Sequence, residues 1–293
     1  MSIFETAIQK NRAAGQGKAT RSGGNSDAKR AHGRTQQAAA INPDMRIRPL
    51  VATVDIEACR ERRVLIAGAA ETDGGAVAAY RMLRTRLLHR ARTHSWTTIA
   101  VTSAGPDDGK TLTALNLALS MSRDKGREIV LLDMDMRNPS VCRTLGVRPT
   151  RELCDFLDSG TDAQGLFFSI GADNLLIAGG ARPTENASEL LASPNFEELL
   201  QIVKRGLVDP IVLIDLPPVL LTDDALVVAP KIDAIMVVAS EGSTGRAELA
   251  KALNILSEFP IAGVVLNRAH EATHGYDYGY EGDEDTGAGG KRG

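Results

Sequence analysis

Nine residues, Ser103-Ala104-Gly105-Pro106-Asp107-Asp108-Gly109-Lys110-Thr111, constrain this chain more than any other stretch. An alternating β-branched run from Thr97 to Thr102 precedes them, and a helical pattern from Leu112 to Ser122 follows. Strand, tight polar turn ending Gly-Lys-Thr, then helix is the layout of a nucleotide phosphate loop. In that layout the backbone N–H groups over Gly105 to Leu112, Pro106 excepted, and the helix N-terminus cradle the phosphates. Lys110 reaches the β- and γ-oxygens, and the Thr111 hydroxyl holds Mg²⁺. Ala104 stands where the G-x-x-x-x-G-K-[ST] pattern has its first glycine. A polar turn that only caps a helix is the bland alternative, and two acidic motifs downstream argue against it.

The first is Ile129-Val130-Leu131-Leu132-Asp133-Met134-Asp135-Met136-Arg137. Four apolar residues predict a strand buried on both faces. Asp133 and Asp135 are two apart at its end, which puts both on one side. Lys110 lies 23 residues before Asp133 (133 − 110), one helix plus a turn, and this spacing predicts that the two strands are neighbours. Paired carboxylates beside a phosphate loop repel unless a cation or proton sits between them, and nucleotide-bound Mg²⁺ supplies the cation. The second motif is Ile211-Val212-Leu213-Ile214-Asp215-Leu216-Pro217-Pro218. Its single carboxylate suits an outer metal ligand or a group that orients a metal-bound water. The two prolines end the ladder.

Strand-like runs at 97–102, 129–132, 174–178, 210–214, 234–239 and 261–266 alternate with helical stretches. That rhythm predicts an α/β fold, a doubly wound, mostly parallel sheet of the P-loop NTPase type with its site at the strands' carboxyl ends. A hydrophobic content of 43% is ample for its core. One nucleotide-binding domain over 49–269 is expected, flanked by a flexible basic segment, 1–48, and a disordered acidic tail, 270–293. The first carries nine Lys/Arg against three acids and the second six acids against two basic residues. From 55 to 91 the pattern is helical, with Tyr80, Leu83, Leu87 and Leu88 as an apolar stripe. The overall charge of −3 makes no case for nucleic acid. Cys59, Cys142 and Cys154 have no metal-ligand spacing and suit a reducing, cytoplasmic setting. No run is long and apolar enough for a membrane span.

The tail is the second unusual feature. Three of the four tyrosines, Tyr276, Tyr278 and Tyr280, fall within five residues among glycines and acids. Such surroundings cannot form a core, so these phenols read as exposed phosphoacceptors or a recognition segment, with a chance low-complexity end as the plain alternative.

Together these motifs resemble the bacterial tyrosine autokinases of capsule and exopolysaccharide systems, within the deviant P-loop ATPases that also include partitioning and division-site proteins. The resemblance runs from about Tyr80 to Tyr280. It rests on the loop, on Asp133-x-Asp135-x-Arg137 and on Asp215-Leu-Pro-Pro. Further matches are Glu189-Leu-Leu-Ala-Ser193, Thr222-Asp-Asp-Ala225, Gly263-Val-Val-Leu-Asn267 and the tyrosine-rich end. It implies an ATP- and Mg²⁺-dependent protein-tyrosine kinase that phosphorylates Tyr276, Tyr278 and Tyr280. Lys110 and Thr111 would contact phosphates and metal, Asp133 would take the phenol proton, Asp135 and Asp215 would organise the metal, and Asn267 would lie near the adenine. It further implies a homo-oligomer, a membrane chain-length-determinant protein as activator that recruits the cytoplasmic chain to the membrane, and a phosphotyrosine phosphatase. Arg81 and Arg84 match the family's oligomerising helix, with Ala78 where that motif has Glu. The rival reading is a MinD/ParA-like ATPase switch without kinase activity. Gly105, where partitioning relatives carry a lysine, and the tyrosine tail weigh against it.

Overall fold

A computed structural model describes residues 47–66, 74–160 and 163–269. The basic segment before residue 47, and the tail with Tyr276, Tyr278 and Tyr280, lie outside the described residues.

The chain opens with β1 (Leu50–Val51), α1 (Ile56–Glu61) and α2 (Gly74–His94). Then come β2 (Thr98–Ser103), α3 (Lys110–Met121), β3 (Ile129–Asp133), α4 (Val141–Leu145) and α5 (Leu153–Ser159). β4 (Phe168–Ser169) and β5 (Leu175–Ala178) lead to α6 (Ala187–Ala192), α7 (Pro194–Gly206), β6 (Ile211–Asp215) and α8 (Asp224–Val228). A 3₁₀ turn (Ala229–Lys231), β7 (Ala234–Ser240), α9 (Arg246–Ile255) and β8 (Ile261–Asn267) complete it. The strands form one sheet in the order β1-β4-β5-β3-β6-β2-β7-β8. Every pairing is parallel except β4 with β5.

Period-two alternation sorts the strand residues onto two cores. Val130, Leu132, Val212, Ile214, Ile235 and Val237 face the core built with α5 to α9. Ile129, Leu131, Ile211, Leu213, Met236 and Val238 face the core built with α1 to α4. The expected stripe of α2 packs into this second core through Leu87, with Tyr80, Leu83 and Leu88 against it. Of the two arginines singled out there, Arg84 donates to the Ser120 carbonyl at 2.8 Å, within the chain's own α3.

One expectation is overturned. β2 and β3 are not neighbours, because β6 lies between them and pairs with both. The spacing from Lys110 to Asp133 fits a crossover helix, but it does not limit the crossover to one strand spacing. The correction strengthens the site. β6 brings Asp215 directly opposite Asp133 in register. Asp215 continues the row Ile211, Leu213 and Asp133 the row Ile129, Leu131. Both therefore share the face of α3, at the carboxyl ends beside the turn that opens that helix.

Candidate active site

The turn between β2 and α3 is braced from within. Ser103 Oγ donates to the Gly105 carbonyl at 2.7 Å, and the Gly105 N–H donates to Asp108 Oδ2 at 3.2 Å. Asp107 takes a positive φ of 58°, Gly109 one of 86°. Pro106 and Asp107 form the exposed crest, whereas Asp108 is buried. A Cβ on Gly109 would strike the Asn267 amide, so the closeness of that side chain and the left-handed backbone both demand glycine. Asn267 itself donates to the Asp108 carbonyl at 2.9 Å and so clasps the loop from the end of β8. Leu112 turns inward and packs on the α1–α4 core.

Lys110, at the first position of α3, donates to Asp135 Oδ2 at 2.6 Å and lies 3.7 Å from Asp215 Oδ1. The Thr111 hydroxyl donates to Asp215 Oδ2 at 2.5 Å. Asp133 is anchored on one side only. Its Oδ2 accepts the Ser140 and Val141 N–H groups, each at 2.9 Å, from the start of α4. Its Oδ1 and Asp215 Oδ1 are buried with no hydrogen-bond partner. Under-satisfied carboxylate oxygens inside a protein are costly, which marks a place built for something the bare chain does not supply.

The electrostatics agree. Burial, aided by the charge of Asp215, pushes the Asp133 carboxyl up to about 7, against the opposing pull of the two N–H groups and Lys110. Burial also raises Asp215, to about 6, although Lys110 and the Thr111 hydroxyl hold it down. For Lys110, burial disfavours the charge, but Asp215 and Asp135 outweigh it and raise the ammonium's pKa. Lys110 thus serves as the counter-ion of this acidic corner.

The structure brings together Lys110, Thr111, Asp133, Asp135, Asp215 and Asn267 around one turn. Sequence reasoning missed several of their supports. Ser140 Oγ donates to Thr111 Oγ1 at 3.1 Å, which links α4 to the loop. Thr244, in the turn after β7, donates to Asp108 Oδ1 at 2.5 Å. Gly179, just past β5, leaves room for Asp133: a Cβ there would lie 3.1 Å from Asp133 Cβ and 3.3 Å from Cys142 Sγ. The Cys142 thiol beside it is pushed up to about 12, mainly by burial and then by Asp133. Only Ser140 had a usable signal, as the polar residue between Pro139 and the apolar start of a helix.

Comparison with known proteins agrees with this geometry. The ParA family model, described as NUBPL iron-transfer P-loop NTPase, matches residues 95–275. Tyrosine-protein kinase CpsD of Streptococcus pneumoniae serotype 4 is 31% identical over 184 residues, covering 61% of this chain and 78% of that protein. Tyrosine-protein kinase YwqD of Bacillus subtilis is 27% identical over 208 residues, covering 70% and 86%. Among solved structures, the kinase domain of Escherichia coli tyrosine kinase ETK superposes with a TM-score of 0.61 at 25% identity, covering 73% of this chain and 83% of that one. A tight turn with acidic strand ends on a mostly parallel sheet, together with these overall similarities, identifies the chain as a member of the ParA-type P-loop NTPases and, within them, of the bacterial tyrosine-protein kinases.

Proposed function

We propose that this protein is an ATP-dependent protein-tyrosine autokinase of an exopolysaccharide or capsule system, with Tyr276, Tyr278 and Tyr280 as its phosphoacceptors. The observation that carries the reading is Asp133. Two N–H groups fix one of its oxygens, and the other is buried, unpartnered and two residues from the carboxylate that holds Lys110. That is the form of a general base waiting for a proton donor.

The loop from Gly105 to Leu112 binds the triphosphate through its N–H groups, with Lys110 transferring from Asp135 to the β- and γ-oxygens. Thr111, Asp135 and Asp215 fit Mg²⁺. Their oxygens are hard donors, and one oxygen of Asp215 accepts no hydrogen bond. Among the described residues no three acidic, His or Cys side chains converge as a ready-made metal cage, which suits an ion taking its other ligands from phosphates and water. When bound, Mg²⁺ neutralises charge on the phosphoryl oxygens. The tyrosine oxygen forms a bond to the γ-phosphorus, the bond from that phosphorus to the β–γ bridging oxygen breaks, and ADP leaves. Asp133 Oδ1 takes the phenol proton. Such transfer is governed by positioning and charge neutralisation, which this turn supplies. Asn267, clasped on the loop, borders the adenine side.

The kinase body spans 49–269, with 1–48 and 270–293 as flanking segments. No helix among the described residues is long and apolar enough to cross a membrane. The chain works in the cytoplasm as a homo-oligomer, brought to the membrane by a chain-length-determinant activator and reset by a phosphotyrosine phosphatase. Each phosphate adds roughly two negative charges to the acidic tail, so phosphorylated copies repel and disperse. Mass spectrometry of protein made with its membrane partner tests the reading. Phosphate on the three tail tyrosines, absent from Lys110→Met, supports it; tails equally unmodified in both would overturn it.

A further inference from the structure

Beside the site, two segments singled out in the sequence, with Arg137 and with Asp224, meet the start of α6 in a cluster that the reaction above does not use. Asp224, in the first turn of α8, is fully buried. Its carboxylate accepts Arg137 Nε at 3.1 Å and Arg137 Nη2 at 3.3 Å, a forked pairing. Ser188 Oγ, from α6, lies 2.5 Å from Asp224 Oδ1, 2.7 Å from Asp223 Oδ1 and 2.9 Å from Arg137 Nη2. Arg137 also donates through Nη1 to the Glu185 carbonyl at 3.2 Å.

Arg137 follows Asp135 by two residues, in the turn that leaves β3. The rest of that turn is held by hydrogen bonds of its backbone and by Met134 and Met136, whose side chains are buried in the core built with α5 to α9. The Met134 N–H donates to the Asp215 carbonyl at 2.9 Å, and the Thr184 N–H donates to the Met136 carbonyl at 2.8 Å. The Asn138 N–H folds back onto Asp135, at 3.1 Å from Oδ1 and 3.0 Å from the carbonyl. Arg137 makes the charged side-chain link from this turn to the segment that follows Asp215. A buried carboxylate without its partner is strongly unfavourable, so Asp224 fixes the guanidinium in place. The planar fork fixes direction as well as distance.

We propose that Asp224 is a positioning residue for phosphoryl transfer: it locks Arg137, and through Arg137 the 134–138 turn, so that Asp135 stays set against Lys110. The role rests on the kinase reading above, but the lock itself can be measured without turnover.

The test uses full-length chains carrying Arg137→Gln, Asp224→Asn or Arg137→Lys. In Arg137→Gln, kcat should fall about tenfold with nucleotide KM within about twofold, because a displaced turn spoils alignment more than binding. Amide exchange across 134–138 should speed up about tenfold while β3 keeps its protection. Arg137→Lys keeps the charge but not the fork and should recover only part of kcat. Unchanged kcat, unchanged exchange in the turn, or kcat and KM worsening together with melting temperature would overturn the proposal. If Asp224→Asn fails to fold, Arg137→Gln decides, since that side chain is 36% exposed. If the wild-type chain transfers no phosphate, the kinase reading falls and the exchange measurement alone judges the lock.

Discussion

The two ends of the sheet use aspartate in opposite ways. At the carboxyl ends, Asp133 and Asp215 are buried side by side, each with an oxygen that accepts no hydrogen bond, and burial raises both carboxyls. At the amino ends, Asp233 precedes β7 and one oxygen gathers four donors. These are Thr97 N at 2.7 Å, Thr98 N at 2.8 Å, Thr98 Oγ1 at 2.8 Å and Thr97 Oγ1 at 3.1 Å. Burial would raise this carboxyl too, but the N–H and hydroxyl donors outweigh it and its pKa is lowered. One end is left wanting and the other is complete. The incomplete end keeps unspent acceptors beside Lys110, and the complete end clips β2 to β7.

Removing the carboxylates should separate the ends most sharply in activity. Asp133→Asn should slow tyrosine phosphorylation by about 10²- to 10⁴-fold, the usual worth of a positioned base. Asp233→Asn should leave turnover per folded molecule within about twofold. Initial rates from quantified phosphotyrosine check both. Comparable losses at the two ends would erase the distinction.

The pH response sharpens the same contrast. In its proposed role as the base, Asp133 works ionised, so the rate should climb with pH through the region near 7 and level off above it. Asp133→Asn should flatten that rise, and Asp233→Asn should not.

Stability should move in opposite directions. Asp233 has a folded pKa below its unfolded value of about 3.9, so its contribution is present above that value and disappears as pH falls through the folded pKa. Asp233→Asn should therefore cost about 1–2 kcal/mol at neutral pH, toward the lower figure because the group is partly exposed, and almost nothing in strong acid. Asp133 has the reverse sign. Its folded pKa is raised, so ionising it penalises folding increasingly between about pH 4 and about pH 7. Asp133→Asn should stabilise by about 1 kcal/mol at pH 7, the familiar exchange of function for stability. Denaturant melts at pH 3 and pH 7 measure both.

The sequence shows the carboxyl-end site more fully than its supports, for physical reasons. Six long strands are legible because each is an apolar run between turn residues, and their observed limits differ from the expected ones by about a residue. β1 and β4, two residues each, are too short to carry a period. That Lys110, Thr111, Asp133 and Asp215 come together is legible because each stands at a strand or helix end in the pattern of a phosphate loop. The insertion of β6 between β2 and β3 is not, since strand order depends on how helices pack across the sheet rather than on local pattern. Ser188, Thr244 and Gly179 are ordinary residues in sequence and matter only through contacts with partners many residues away. Arg84, noted for its likeness to an assembly motif, bonds to Ser120 of its own chain, a contact that spacing along α2 could not reveal.

The smallest expected effect tests whether the incomplete end is also a rigid one. Thr244 Oγ1 donates to Asp108 Oδ1 and accepts the Ser240 N–H at 2.7 Å, so one hydroxyl joins the loop to the end of β7. Thr244→Val keeps the shape and removes the hydroxyl. Asp108 would keep the Gly105 N–H on its other oxygen, and the loop would lose one of its two ties to the β7–β8 edge, the other being Asn267. A hydrogen bond of this kind is worth about 1 kcal/mol, so nucleotide KM should rise about threefold to fivefold with kcat unchanged. Asp133 and Lys110 would be untouched, so a fall in kcat would mean that loop and base are not independent. An unchanged KM would mean that the turn holds its shape without this tie to β7, through Asn267 and its own internal bonds.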